Sequence, residues 1–318
     1  MKTRIVILLL ILALILPTAG CFENPTAESL LEDAAANLEK AESYEMKGKL
    51  ELDIKIESED FDMAIVGEAE ASGEITDKAA HMEGDYTFSA VDDKESGDFE
   101  IYLIEDKDEI TAYLREDDEW SKDGIDEDDE DFEEAQKLIE GIKLHKLVEL
   151  LTEYSDDLTL AKKTEKVGKS EAYVLEGKVS GEYFIDFLKS LDVDEIEEDI
   201  DEALEESDVD LEDYEVDIRL LIDKKSKLPV LLEIDMAETV AKLAEEFLFQ
   251  FMYGFSELEG IDFNSDDDEE EEDEPEPPSM PEIEIDVKAC KIEIEFSSFG
   301  DVKSIKVPKD VRDEAEED

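Results

Sequence analysis

Five stretches in the first third of the chain place an apolar side chain at every second position, with charged or small residues between. Tyr44, Met46, Leu50, Leu52, Ile54 and Ile56 make the first, interrupted at Gly48. Met63, Ile65, Ala69, Ala71 and Ile75 make the second; Met82, Tyr86 and Phe88 the third; Phe99, Ile101 and Leu103 the fourth; Ile110 to Leu114 the fifth. A period of two belongs to a strand, whose side chains point alternately to opposite faces. Because one face carries Glu, Asp and Lys throughout, the spacing predicts an antiparallel sheet that is wet on one side. The other side must be covered.

Later segments continue the sheet and supply its cover. Further strands are expected at Leu158 to Lys162, Ala172 to Val179, Tyr214 to Ile222 and Leu228 to Met236. The last run holds Ile283, Ile285 and Val287 on odd positions and Cys290, Ile292, Ile294 and Phe296 on even ones, so a bulge is expected near Ala289. Leu30, Leu31, Ala34, Leu38 and Ala41 are spaced as one helical face, with Thr26 as N-cap and Glu28 in the first turn. Leu138, Ile142, Leu147, Leu150 and Leu151 form a second helical pattern. Short acidic helices are expected at Tyr183 to Leu191 and Ile196 to Leu204. Val240, Leu243, Ala244, Phe247, Leu248, Phe251, Met252 and Phe255 fall at steps of three and four, the most regular helix in the chain.

Charge limits the partners. The chain carries 98 acidic and 31 basic residues, net −67, which excludes nucleic acid and opposes anionic membrane surfaces. Yet 41% of residues are hydrophobic and 8% aromatic, too apolar for a wholly disordered acidic chain. A core is therefore expected. Asp266 to Glu274 is an unbroken acidic block followed by Pro275, Pro277 and Pro278, so residues 264–281 read as a disordered, solvated linker able to bind divalent cations weakly.

The amino terminus reads as an address. Lys2 and Arg4 precede twelve apolar residues, Ile5 to Leu16, and then Pro17-Thr18-Ala19-Gly20-Cys21. That is a secretory signal, too short to span a membrane, which takes about 20 residues. Small residues before Cys21 mark it as the lipidated first residue of the mature chain, and two acyl chains give stable anchoring. The expected organisation is a signal peptide at 1–20, a lipidated tether at 21–25 and one domain at 26–310. That domain carries a helical insertion at 237–263 and the linker at 264–281, and an acidic tail follows at 311–318. The expected location is the outer face of the cytoplasmic membrane.

Little here points to catalysis. His81 and His145 are the two histidines, neither with a partner motif, and Gly-rich phosphate loops and nucleophile motifs are absent. No enzyme and no cofactor are expected. After lipidation Cys290 is the one thiol left, expected to be a buried apolar residue. Glu119, Ser121, Asp123, Gly124 and Glu130 fall at EF-hand-like offsets, but with Glu at the first position and Asp126 where an apolar residue belongs. Glu119, Asp123 and Glu130 are thus weak calcium candidates, and no specific metal site is expected.

Several segments together resemble the LolA/LppX-like bacterial lipoproteins. They are the lipobox, the helix from Thr26-Ala27-Glu28 to Glu42-Ser43-Tyr44, and Ile222-Asp223-Lys224-Lys225 through Leu228-Pro229-Val230. Trp120-Ser121-Lys122 at a hairpin end, Phe296-Ser297-Ser298-Phe299-Gly300 and Ile305-Lys306-Val307-Pro308 complete the set. The resemblance implies an α+β fold, a curved antiparallel sheet or incomplete barrel wrapped around helices, with a hydrophobic hollow that holds acyl chains or lipidated partners. Residues 237–281 depart from the family pattern. Strand and helix phase nominate Leu52, Ile54, Phe88, Ile101, Val216, Ile218, Phe247 and Phe251 as hollow-lining residues for lipid or another apolar ligand. The alternative is a structural or interaction module of the cell envelope, with a solid core and a cation-binding acidic surface.

Overall fold

The first helix shows how local sequence sets the architecture. In the computed structural model α1 spans Ala27–Leu38, and the Thr26 hydroxyl accepts from the Ser29 N–H at 3.1 Å while the Thr26 N–H donates to Ser29 Oγ at 2.9 Å. This reciprocal cap satisfies two donors that a helix start otherwise leaves open. Leu30, Leu31, Ala34 and Leu38 form its buried stripe. Helix α2, Leu144–Glu153, buries Leu144, Leu147, Val148 and Leu151, and the two helices pack on each other. The structure describes residues 25–57, 62–90, 93–106, 109–116, 119–126, 144–183, 211, 214–244 and 284–317. Cys21, Glu130, Phe247 and Phe251, the expected helix at 196–204 and the acidic linker lie outside the described residues.

The strands are β1 Ser43–Glu57, β2 Asp62–Thr76, β3 Ala79–Ala90, β4 Asp93–Asp106, β5 Glu109–Glu116 and β6 Glu119–Asp126, then β7 Leu158–Leu160, β8 Glu165–Val167 and β9 Ser170–Ser180. They continue with β10 Glu215–Asp223, β11 Pro229–Asp235, β12 Glu284–Ser297 and β13 Glu316–Glu317. They form one sheet in the order β13-β6-β5-β4-β3-β2-β1-β12-β11-β10-β9-β7, with β8 also paired to β9. All pairs are antiparallel except β13 with β6. Among the described residues no pairing joins β7 to β13, so the sheet stays open. This is the α+β class expected, a curved antiparallel sheet with helices.

Strand β12 is inserted between β1 and β11, which places late sequence at the centre of the sheet. Its register slips where Asp53 faces Ala289 but Ile54 faces Val287. Lys288 is therefore the extra residue, and the change of phase expected near Ala289 is a bulge.

The main core lies on one face. Tyr44, Ile75, Leu175, Val179, Val216, Ile218, Leu220, Ile222, Leu232, Ile234 and Phe296 meet the leucines of α1 and α2 there. The Tyr44 hydroxyl accepts the Leu144 N–H at 3.2 Å, satisfying a first-turn donor of α2, and burial pushes that phenol up to about 12. Cys290 is 6% exposed and unpaired, and burial pushes its thiol up.

The opposite face carries smaller clusters. Tyr102 and Tyr113 pack with Val307, Val311, Ile305 and Trp120 beneath the carboxy-terminal segment. Within the stretch expected as an acidic tail, residues 311–314 belong to helix α3, Lys309–Glu314, and residues 316–317 are β13, and Val311 is only 7% exposed. One apolar side chain in an acidic run is enough to dock the segment when aromatic rings await it. No helix among the described residues is long and apolar enough to cross a membrane.

Candidate functional site

Beyond the part under α1 and α2, the core face of β1 to β4 continues as apolar rows. Cross-strand register sets Gly48, Ala71, Gly84 and Phe99 in one row, then Leu50, Ala69, Tyr86 and Gly97, then Leu52, Gly67, Phe88 and Glu95. Glycine and an aromatic or long apolar side chain recur as partners, and the rings lie over the glycines. A Cβ built on Gly84 would stand 2.8 Å from Phe99 Cζ and 2.5 Å from the Glu70 carbonyl oxygen; one on Gly97 would stand 3.0 Å from the Tyr86 ring. On Gly67 it would stand 3.4 Å from Phe88. Rings laid on missing side chains pave the sheet with apolar surface instead of projecting from it.

This surface is partly open. Leu50 is 40% and Phe88 42% exposed, whereas one end of the same face is closed at Tyr44, Ile75 and Ala80. The strip ends at Glu95, which accepts from the Tyr86 hydroxyl at 3.3 Å. Of the nominated lining residues, Leu52, Ile54, Phe88 and Ile101 fall on this strip, and all but the exposed Phe88 are half-buried. Val216 and Ile218 belong to the same face but are 2% exposed in the core with α1 and α2. Among the described residues of the nominated set, Val216 and Ile218 are thus buried under the helices while the other four lie along the strip. Residues 237–244 are helical and leave β11 where the Met236 N–H donates to the Cys290 carbonyl, and Cys290 faces Leu52 across β12 and β1.

The other face is charged. A depression of about 660 Å³ is lined by Lys47, Lys49, Glu70, Glu83, Arg115 and Glu295, among others. At its edge, His81 Nε2 lies 3.0 Å from Glu100 Oε1, and the Tyr102 hydroxyl donates to the same oxygen at 2.9 Å. The Tyr102 ring stacks on the imidazole at 4.1 Å and 12°. Arg115 reaches Asp98 at 2.9 Å and the other Glu100 oxygen at 3.6 Å. His81, Glu83 and Glu100 each offer a ligand atom, all within 4.8 Å of one another. The calcium candidates fare differently. Glu119 and Asp123 lie in β6, roughly 13 Å apart at about 3.3 Å per residue. An extended strand cannot converge them on one ion.

A family model described as a family of unknown function, DUF6612, matches residues 26–254. The chain belongs to the DUF6612 family. The match begins at the N-cap of α1 and runs past β11, so the central strand β12 and the carboxy-terminal segment of this DUF6612 protein lie outside it. No curated protein sequence matches the chain. Among solved structures the chain is similar to LprF from Mycobacterium bovis, with 10% identity, 89% of this chain and 96% of that one covered, and a TM-score of 0.39. A DUF1329 family protein from Desulfovibrio piger gives 9% identity, coverage of 86% and 92%, and a TM-score of 0.19.

Glu100 stands 17 positions beyond Glu83, so only the pairing of β3 with β4 assembles the His81 constellation of this DUF6612 chain. The available signal was strand phase: His81 and Glu83 share a face of β3, and β4 sets Glu100 directly opposite Glu83.

Proposed function

We propose that the protein is a non-enzymatic lipoprotein, anchored through Cys21 at the outer face of the cytoplasmic membrane, that binds an acyl chain or another apolar ligand on its open sheet face. The observation that carries this reading is the apolar strip of β1 to β4, with Leu50 40% and Phe88 42% exposed. Apolar side chains left in water beside a closed core gain free energy when covered, at about 25 cal/mol per Å² before ordering costs. The rings lying on glycines keep that surface free of projecting branches, which suits a flexible chain. Apart from Glu95 at its end and the Tyr86 hydroxyl bonded to it, the rows of the strip are glycine, alanine and hydrocarbon side chains, which suit binding.

The test uses the full mature lipoprotein extracted from membranes. Native mass spectrometry should find a noncovalent lipid in addition to the covalent anchor, and an apolar fluorophore should bind and be displaced by a long-chain fatty acid. Phe88→Asp should weaken fluorophore binding about tenfold or more, through the cost of a carboxylate on an apolar surface. An empty protein that binds no fluorophore would overturn the reading.

One observation favours a second reading, an anchored structural or interaction module with a solid core and a cation-binding acidic surface. Val216 and Ile218 are each 2% exposed, so that half of the face is closed. An empty, non-binding protein in the same experiment supports this alternative.

A further inference from the structure

We propose that His81, Glu83 and Glu100 form a zinc site on the charged face of the sheet. Three observations carry it: the donor set, its scaffold and its surroundings. One imidazole nitrogen and two carboxylates, with a fourth position open to water, are a donor set that zinc accepts. Their ligand atoms already lie within 4.8 Å of one another, and His81 Nε2 is 3.0 Å from Glu100 Oε1. Zinc bonds of about 2.0–2.2 Å ask for ligand separations near this contact, so small side-chain rotations complete the triangle.

The scaffold fixes the three. His81 and Glu83 stand two residues apart on β3, and Glu100 is the direct cross-strand partner of Glu83 on β4. Two carboxylates facing each other across a ladder repel, in a chain of net charge −67. A cation between them would remove the part of that cost that Arg115, beside Glu100 alone, leaves in place.

The surroundings hold the ligands as outer groups of a metal site do. Tyr102 donates to Glu100 at 2.9 Å and stacks on His81 at 4.1 Å, fixing a carboxylate and a ring plane together. Tyr102 is itself 6% exposed, packed with Val307 and Val311. Arg115 lies 3.6 Å from the second Glu100 oxygen, which orients that oxygen and leaves Oε1 as the ligand atom. His81 and Glu100 side chains are 22% and 21% exposed, half-sheltered yet reachable.

An acidic chain binds divalent ions loosely at many carboxylates, so the test saturates those with excess magnesium. Zinc is then titrated against a chromophoric chelator, and cobalt is added separately as a spectroscopic probe. Expected are one tight zinc per chain and a visible cobalt absorption. His81→Asn and Glu100→Gln should each weaken zinc at least about tenfold and abolish the cobalt band. Tyr102→Phe, a positioning change, should cost about 10–100-fold in zinc affinity. The chain has two histidines, so the imidazole proton resonances of the unaltered protein give an independent readout. One equivalent of zinc should shift the His81 signals and leave those of His145 in place. The proposal fails if His81→Asn binds zinc as tightly as the parent in magnesium, or if both histidines or neither respond. Either result would leave His81 and Glu100 as a plain hydrogen-bonded pair.

Discussion

Beneath α1 and α2 the core-facing residues of β9, β10 and β11 are branched aliphatics, Leu175, Val179, Val216, Ile218, Leu220, Ile222, Leu232 and Ile234, none more than 5% exposed. On the same face of β1 to β4 the rows beyond Tyr44 hold glycine, alanine and reclining rings, and Leu50 and Phe88 reach 40% and 42% exposure. The first region is built of side chains that stand up and need a partner surface to interlock with. The second is built of side chains that lie on the backbone and form a finished surface. The contrast teaches that an apolar face need not be a core. What decides is whether α1 and α2 lie over it.

Three substitution experiments can break or sharpen this contrast. The largest effect should come from cavities in the covered region. Leu151→Ala or Ile218→Ala should lose about 2–5 kcal/mol in urea unfolding followed by far-ultraviolet circular dichroism, because neither site can collapse. Phe88→Ala in the open region should lose under about 1 kcal/mol, since much of its ring is already wet. Equal losses would show that the open strip is core after all.

A smaller effect separates two glycines of one row. Gly84→Ala puts a Cβ 2.5 Å from the Glu70 carbonyl oxygen and 2.8 Å from the Phe99 ring, whereas a Cβ on Gly48 meets nothing within 4 Å. Gly84→Ala should cost about 1–3 kcal/mol and lower Tm, through displacement of backbone or ring. Gly48→Ala should stay within about 0.5 kcal/mol. A neutral Gly84→Ala would mean that Phe99 does not rest on it.

The smallest effect is a pH dependence at the β10–β11 hairpin of the covered region. Asp223 Oδ1 accepts from the Lys225 and Ser226 N–H groups at 2.9 and 2.7 Å and from the Ser226 hydroxyl at 2.9 Å. Burial would raise this carboxyl, but the Ser226 and Lys225 donors outweigh it and hold it below its ordinary range. Its stabilisation is therefore complete above the unfolded value of about 3.9 and is lost as pH falls through the lower folded value. Asp223→Asn should cost about 1 kcal/mol at neutral pH, and the gap between the two proteins should narrow in acid. Titrating the difference isolates Asp223 from the other carboxylates. A gap that does not change with pH would refute the assignment.

Much of the fold was legible because it is local. Thr26 caps α1 through atoms three residues apart, strand phase follows from a period of two, and the slip at Ala289 appears as a change from odd to even positions. The nominated lining residues were legible only as to face. Leu52 and Val216 carry the same signature of an apolar residue between acids, and nothing near either one records whether a helix covers it. The docking of the carboxy-terminal segment was not legible for a like reason. Val307 and Val311 are isolated among charged residues, and their partners Tyr102, Tyr113 and Trp120 lie some two hundred positions earlier.

By itself, then, the sequence determined that strands would alternate, that one face would be wet, and that leucine-striped helices would cover part of the other, since each follows from contacts between near neighbours. The tertiary structure alone decided that β12 enters between β1 and β11, that α1 and α2 seal the β9 to β11 half and leave the strip at Leu50 and Phe88 open, and that Glu100 comes to face Glu83 beside His81. Those outcomes depend on the register and order of strands distant in sequence, and pairing energies between distant strands are set by the whole assembled sheet rather than by any one segment.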